Sequence, residues 1–146
     1  MKKDVLIAIK GMQELDGQSD IGDELVTPGT YCRDGNIIRF SYMESELTGM
    51  EGTRTTFEIQ PSHVSLTREG TVNAQMIFEQ GKKHFFMYET PFGALTMGVS
   101  TNSIKSRMDD HGGDLEIRCR IDMENNVISH NVFKINVREA GRPPVN

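Results

Sequence analysis

The amino-acid sequence predicts an all-β fold, a closed antiparallel up-and-down barrel of roughly eight to ten strands. Short runs of β-branched and aromatic residues alternate with turn residues along the chain, and no segment keeps a helical period over several turns. Consecutive strands joined by tight turns pair with one another. Closing such a long sheet removes its exposed edges, which favours a barrel over an open sheet.

The strands are expected between turns that are rich in glycine, aspartate and asparagine. These turns lie at Asp16-Gly17, Asp34-Gly35-Asn36, Glu69-Gly70, Gln80-Gly81, Gly112-Gly113 and Asn125-Asn126. The predicted strands cover 3–15, 21–32, 36–46, 53–60, 62–68, 71–79, 82–90, 93–106, 113–123 and 127–138. The best candidate for a helix is 103–110, although its helical period is weak.

Length and composition predict one domain over residues 1–140, followed by a flexible tail at 141–146. Of the 146 residues, 36% are hydrophobic and 25% are charged, which is typical of a soluble globular protein. This apolar content suits a single barrel better than a large sandwich. The net charge of −5, without a run of basic residues, argues against a nucleic-acid partner.

The N-terminal segment and the two cysteines predict a cytoplasmic protein. The apolar run from Val5 to Ile9 is too short for a membrane span and lacks a following cleavage site. Cys32 and Cys119 have neither the number nor the spacing of a disulfide framework or a zinc site. We therefore expect no membrane partner, no metal and no cofactor. The sequence leaves a homo-oligomer open.

Polar residues occupy the inward phase of several predicted strands. Alternate side chains of a strand point to opposite faces, so Phe40 and Leu66 define an interior phase that ends in Glu44 and Arg68. An unpaired charge is costly in an interior. The inward polar residues that we single out as candidate ligand-binding residues are Tyr42, Glu44, Thr55, Arg68, Tyr88, Thr90 and Asn131.

Strand direction predicts that several of these residues share one end of the barrel. In a meander, Glu44, Arg68 and Thr90 close strands that run to the same rim, and Thr55 opens a strand that starts there. The long connection at 45–52 covers this rim. We therefore expect Glu44 and Arg68 to lie within direct or water-bridged hydrogen-bond reach. A miscounted strand would remove this clustering.

Two roles fit an inward polar cluster. Most such clusters are structural, with an arginine fork on a carboxylate and hydroxyls completing the hydrogen bonds. A barrel of this size also holds one small ligand, and an arginine with tyrosine and threonine hydroxyls suits a carboxylate or phosphate. Glu44 beside Arg68 would repel that same anion, unless it orients the guanidinium.

Three functional hypotheses follow from this cluster. The leading one is a non-enzymatic small-molecule-binding barrel. The alternative is a structural or protein-interaction module with a solid core, whose contacts lie on an outer sheet face or on the 45–52 loop. An enzyme that uses Glu44 as acid or base is the least supported, because no nucleophile, metal set or oxyanion donor accompanies it.

The outward phase of the strands is expected to be polar and exposed. It places charged residues opposite the core positions of the same strands. These residues are Arg54, Glu58, Glu116, Arg118 and Arg120.

Several motifs resemble those of a known family. They are Gly29-x-Tyr31, Tyr42-x-Glu44 followed by Thr48-Gly49, Arg68-x-Gly70, Met76-x-Phe78, Thr90-Pro91-Phe92-Gly93, Thr101 and Asn131. In this order and spacing, from about Val5 to Glu139, they resemble the YwiB-like family of small bacterial proteins, a domain of unknown function. The resemblance implies a calycin-like, lipocalin-like barrel in the bacterial cytosol. It implies no established activity, so no catalytic residue is carried over.

Overall fold

The structure is a computed structural model that describes residues 2–15, 18–21, 24–46, 50–90 and 93–140. The Asp16-Gly17 turn, Thr48-Gly49, Pro91-Phe92 and the tail at 141–146 lie outside the described residues. The strands are β1 (Lys2–Leu15), β2 (Gln18–Ile21), β3 (Leu25–Asp34), β4 (Ile37–Met43), β5 (Thr53–Ile59), β6 (Val64–Gly70), β7 (Ala74–Phe78), β8 (Lys83–Thr90), β9 (Gly93–Asp109), β10 (Gly112–Met123) and β11 (Asn126–Glu139).

The strands form one antiparallel sheet that curls into a nearly closed barrel. Its spatial order is β7-β6-β5-β4-β3-β1-β11-β10-β9-β8, with β2 paired to β1 alone. The first and last strands pair along their length, from Val5 opposite Glu139 to Glu14 opposite His130. The predicted all-β up-and-down barrel is therefore confirmed. In the described part of the chain, no helix is long and apolar enough to cross a bilayer.

The ten predicted strands correspond to ten positions in the barrel, with one addition and one correction. The predicted strand at 21–32 corresponds to β3, and β2 is an additional short strand that shares only Ile21 with that prediction. Both pair with β1, β2 at Met12–Leu15 and β3 at Lys2–Ile9. The helix candidate at 103–110 was wrong, because β9 continues through it to Asp109. Ladder pairing with β10 and packing of the partly buried Ile104 and Met108 against the core override the weak local preference.

A seam separates β7 and β8, the two ends of the sheet order. Ladder hydrogen bonds join each pair of neighbours in the strand order given above. The two end strands β7 and β8 lie side by side, but no ladder joins them in the described structure. The connection between them pairs with β9 instead. Gly81 N donates to Thr101 O at 2.8 Å, and Thr101 N donates to Lys82 O at 3.2 Å. The barrel is thus fastened at one end of the seam.

The core consists of the inward-facing side chains of strands all around the barrel. Ile7, Val99 and Ile117 are fully buried, and the rings of Phe40 and Phe57 stack at 5.1 Å from directly opposite positions on β4 and β5. This packing fixes the strand phase.

The outward charged residues lie on the opposite face of these strands. Arg54, Arg118 and Arg120 are exposed, as expected. Glu58 and Glu116 are half-buried, because each pairs with a neighbouring arginine on the outer surface.

Candidate functional site

Three of the candidate residues form a row across neighbouring strands. Tyr42 on β4 lies opposite Thr55 on β5, and Thr55 lies opposite Arg68 on β6. Tyr42 and Thr55 are buried, and the side chain of Arg68 is 23% exposed. Directly opposite residues on one face of a sheet have adjacent side chains. The alternation of these strands therefore brings a phenol, a hydroxyl and a guanidinium together inside the barrel.

Glu44 follows β4 and turns its carboxylate into the same region. Its backbone N–H donates to Thr53 O at 2.8 Å, which keeps this residue beside β5 beyond the end of the ladder. Its side chain is only 2% exposed, and the Thr55 hydroxyl donates to its Oε2 at 2.6 Å. A short hydrogen bond to a carboxylate is a strong one, so Thr55 supports the buried charge.

Arg68 forms an ion pair with Glu44 without a direct hydrogen bond through its Nε. The Nε lies 3.9 Å from Oε2 of Glu44, which is longer than a hydrogen bond. This Nε is buried and has no hydrogen-bond partner in the described structure. A buried donor without an acceptor is uncommon in folded proteins and calls for an explanation.

Tyr42 remains protonated in this environment. Burial raises the pKa of its phenol well above the usual value, the Glu44 carboxylate raises it further, and the Arg68 guanidinium opposes both effects. The phenol is therefore a neutral hydroxyl group at physiological pH. Its hydrogen-bond partners are Thr55 and Glu44.

A cavity of about 310 Å³ lies inside the barrel beside these residues. Its polar lining comes from Tyr42, Arg68 and Tyr88, and of the described lining residues Tyr88 is the one that is exposed, at 41%. The apolar lining consists of Ile9, Phe57, Leu66, Met76, Phe78, Phe86, Met97, Ile121, Phe133 and Ile135. Mostly apolar walls with a few polar groups are typical of small-molecule sites.

Of the other four candidate residues, Glu44, Thr55 and Asn131 are not among the described lining residues, although Glu44 and Thr55 adjoin Arg68 and Tyr42. Asn131 is buried on β11 and donates from Nδ2 to Ser129 Oγ at 2.9 Å. The backbone of Thr90 pairs with Gly93 at the end of β8, and its side chain lies outside the described part. In the described residues no group of three or more His, Cys, Asp or Glu side chains could hold a metal ion.

Two lining residues escaped the sequence analysis for identifiable reasons. Ile9 lies in the continuous apolar run that begins at Val5, where no alternation marks the inward phase. Ile121 stands in the same inward phase as Ile117 and Cys119, so one further step of the alternation along β10 would have found it. The pairing irregularity at Arg118/Cys119 places its extra residue in β9 and leaves the phase of β10 unchanged.

The fold and the cavity define a nearly closed up-and-down β-barrel with an internal apolar chamber. A family model described as a domain of unknown function (DUF1934) matches residues 7–135, and the chain belongs to this family. The chain is similar to the uncharacterised β-barrel protein YwiB of Bacillus subtilis (strain 168), with 28% identity over 113 residues that cover 77% of this chain and 78% of YwiB. The YwiB-like resemblance is thereby confirmed.

A solved structure supports the fold independently. The crystal structure of the ywiB protein from Bacillus subtilis matches with a TM-score of 0.84, covering 95% of this chain and 93% of that chain, at 23% identity. At this identity the comparison concerns the fold alone.

Proposed function

We propose that this protein is a non-enzymatic barrel that binds a small molecule in its interior. The observation that carries the proposal is the cavity of about 310 Å³, in the size range of ligand sites and lined by apolar side chains with Tyr42, Arg68 and Tyr88 among them. A scaffold role for the Glu44–Arg68 pair explains neither this volume nor the unpaired Nε of Arg68.

The proposal includes a lipocalin-like mode of binding, with the ligand inside an up-and-down barrel. It also includes a cytoplasmic location. Cys32 and Cys119 are both free thiols, and unbridged cysteines are typical of a reducing compartment.

Two variants with the same side-chain change test the site. Met97 lines the cavity, whereas Met87 is 58% exposed on the outer face of β8. Met97→Phe should reduce the volume of the chamber, and Met87→Phe should leave that volume unchanged. Purified proteins would be examined by native mass spectrometry for co-purified molecules and by thermal shift against a metabolite panel, since a ligand that binds only the folded protein raises its Tm.

The expected result is a ligand or thermal shift that wild type and Met87→Phe share and that Met97→Phe lacks. Equal shifts in all three proteins would locate binding outside the chamber and contradict the proposal. The same conclusion would follow from a crystal structure with the chamber filled by rearranged side chains.

A protein-interaction module is the second candidate, favoured by exposed apolar side chains on the outer face. Phe85 is 70% exposed and Met87 is its neighbour in the outward phase of β8. The solid core that this alternative assumed is at odds with the interior cavity. A stable oligomer in light scattering, lost in Phe85→Ser, together with no ligand for the chamber, would favour this candidate.

A further inference from the structure

We propose that Glu44 makes the chamber selective for uncharged ligands, so that it accepts an apolar molecule with one neutral hydrogen-bond-accepting head group and rejects carboxylates. This inference rests on the proposed function and names the ligand class of the same site. It assigns Glu44 a specificity-determining role, although its carboxylate is buried and already hydrogen-bonded to Thr55.

The size and lining of the chamber define the body of the ligand. A dry apolar cavity of about 150 Å³ accommodates benzene. The chamber has about 310 Å³, so its occupant is about twice as large. Phe57, Phe86 and Phe133 are among the lining residues. The body of the ligand is therefore apolar, and burying it supplies the main part of the binding free energy.

The polar residues define what the head group must offer. Arg68 is a donor with no acceptor capacity, and its Nε has no partner in the described structure. The Tyr42 phenol is held in its protonated form, because burial and the Glu44 carboxylate both raise its pKa. Thr55 already donates to Glu44. The Tyr42 phenol also hydrogen-bonds within this cluster, with Thr55 and Glu44. Arg68 is consequently the donor that the site presents to the chamber, and the complementary group on a ligand is an acceptor such as a carbonyl oxygen.

The charge of this region separates neutral acceptors from carboxylates. Glu44 and Arg68 carry opposite charges 3.9 Å apart, so together they are neutral. A carboxylate at Arg68 would add an uncompensated negative charge close to Glu44, in a chamber with apolar walls where charge is poorly screened. A cationic head group would meet the guanidinium. An uncharged carbonyl gains the Arg68 donor without either penalty.

Three probes with the same alkyl chain test this in the wild-type protein: decanamide, decanoate and decyltrimethylammonium. Binding would be measured by isothermal titration calorimetry at neutral pH. Decanamide should bind at least about tenfold more tightly than either charged probe, the size expected for a poorly screened charge nearby. Decanoate binding as tightly as decanamide, or more tightly, would overturn the inference.

Glu44→Gln removes the negative charge and keeps an acceptor for Thr55. Decanoate should then bind about tenfold more tightly than to wild type, while decanamide changes little. Glu58→Gln is the matched control, because Glu58 also pairs with an arginine but lies on the outer face of β5. It should leave both affinities unchanged. If Glu44→Gln prefers decanamide over decanoate as strongly as wild type does, the role of Glu44 is contradicted.

The ranking of the probes in wild type decides the inference even if Glu44→Gln fails to fold. Failure of the proposed function looks different, because then none of the three probes binds wild type at saturating concentration. Arg68→Met removes the donor. Provided that this variant folds like wild type, it should bind decanamide more weakly. Unchanged decanamide affinity there would contradict the assignment of Arg68.

Discussion

The hydroxyl of Thr55 donates a 2.6 Å hydrogen bond to Oε2 of Glu44, and it is closer to that oxygen than the Nε of Arg68, which lies 3.9 Å away. The buried carboxylate is therefore stabilised first by a neutral hydroxyl and only then by a charge. Arg68 keeps hydrogen-bonding capacity that a carboxylate-bound arginine would have used.

Thr55→Val should destabilise the protein by about 1.5–3 kcal/mol, because a buried carboxylate loses a hydrogen bond that water cannot replace. Thr56→Val on the same strand is the control, since Thr56 points to the outer face and is only half-buried. It should change the free energy of unfolding by less than about 0.5 kcal/mol. Urea unfolding of both variants measures the difference, and equal effects would show that the bond to Glu44 contributes little.

Gly29→Ala should destabilise the barrel by about 1–3 kcal/mol through overpacking. A Cβ at this position of β3 would collide with the carbonyl oxygen of Ser41 and with Cδ1 of Ile7. Gly11→Ala in β1 is the control, because a Cβ there has nothing within 4 Å. Gly11→Ala should be neutral or stabilising by up to about 1 kcal/mol, since it restricts the unfolded chain. Thermal unfolding distinguishes the two, and a stable Gly29→Ala would mean that β3 and β4 separate more readily than this packing indicates.

Two ion pairs of the barrel, one with a nearly buried carboxylate and one exposed, should differ in their contribution to stability. Asp122 is 7% exposed and pairs with Lys83 at 3.0 Å, whereas Arg118 is 50% exposed and pairs with Glu116 at 2.9 Å. Lys83→Met leaves Asp122 nearly buried without its counterion. The expected loss is about 1–3 kcal/mol, below the range for a fully buried pair because Lys83 is itself partly exposed.

Arg118→Met serves as the matched control and should cost less than about 1 kcal/mol, because exposed pairs are weak. Chemical denaturation of both variants gives the comparison. A large loss in Arg118→Met would place that side chain in the interior and reverse the phase of β10.

The two cysteines should differ in reactivity. Burial raises the pKa of the Cys119 thiol to about 12, whereas Cys32 is half-buried. The thiolate is the reactive form, so the rate for Cys119 is very low at neutral pH and rises about tenfold per pH unit. Titration with a disulfide reagent should find one reactive thiol in the native protein and two after unfolding. Native Cys32→Ser should be inert, and its rapid modification would show that the barrel opens around Cys119.

The strand phase of the central part of the barrel was predictable from the sequence, because alternation assigns each side chain to a face. Phe40, Phe57 and Leu66 determined the inward positions of Tyr42, Thr55 and Arg68 in this way. Face and distance are different quantities, however. Alternation could not show whether Glu44 would contact Arg68 directly or hydrogen-bond with Thr55 instead, because side-chain rotamers and backbone twist determine these distances.

Two features of the barrel could not be predicted for specific physical reasons. The Gln80-Gly81 turn has the composition of the other tight turns, so nothing indicated that this connection pairs with Thr101 and leaves β7 and β8 unpaired. The segment at 103–110 has only a weak local preference for helix. Its ladder with β10 and the burial of Ile104 make it a strand. Both outcomes depend on long-range contacts.

The seam is the place where the barrel can open locally. Separating β7 from β8 breaks no ladder hydrogen bonds along their length, so it requires only that side chains part. Met76 and Phe78 on one strand and Phe86 and Tyr88 on the other line the chamber, and parting them would widen its opening to solvent. Such a local opening needs less free energy than global unfolding. The residence time of an occupant would then be set by the packing of these four side chains, independently of the strength of the sheet as a whole.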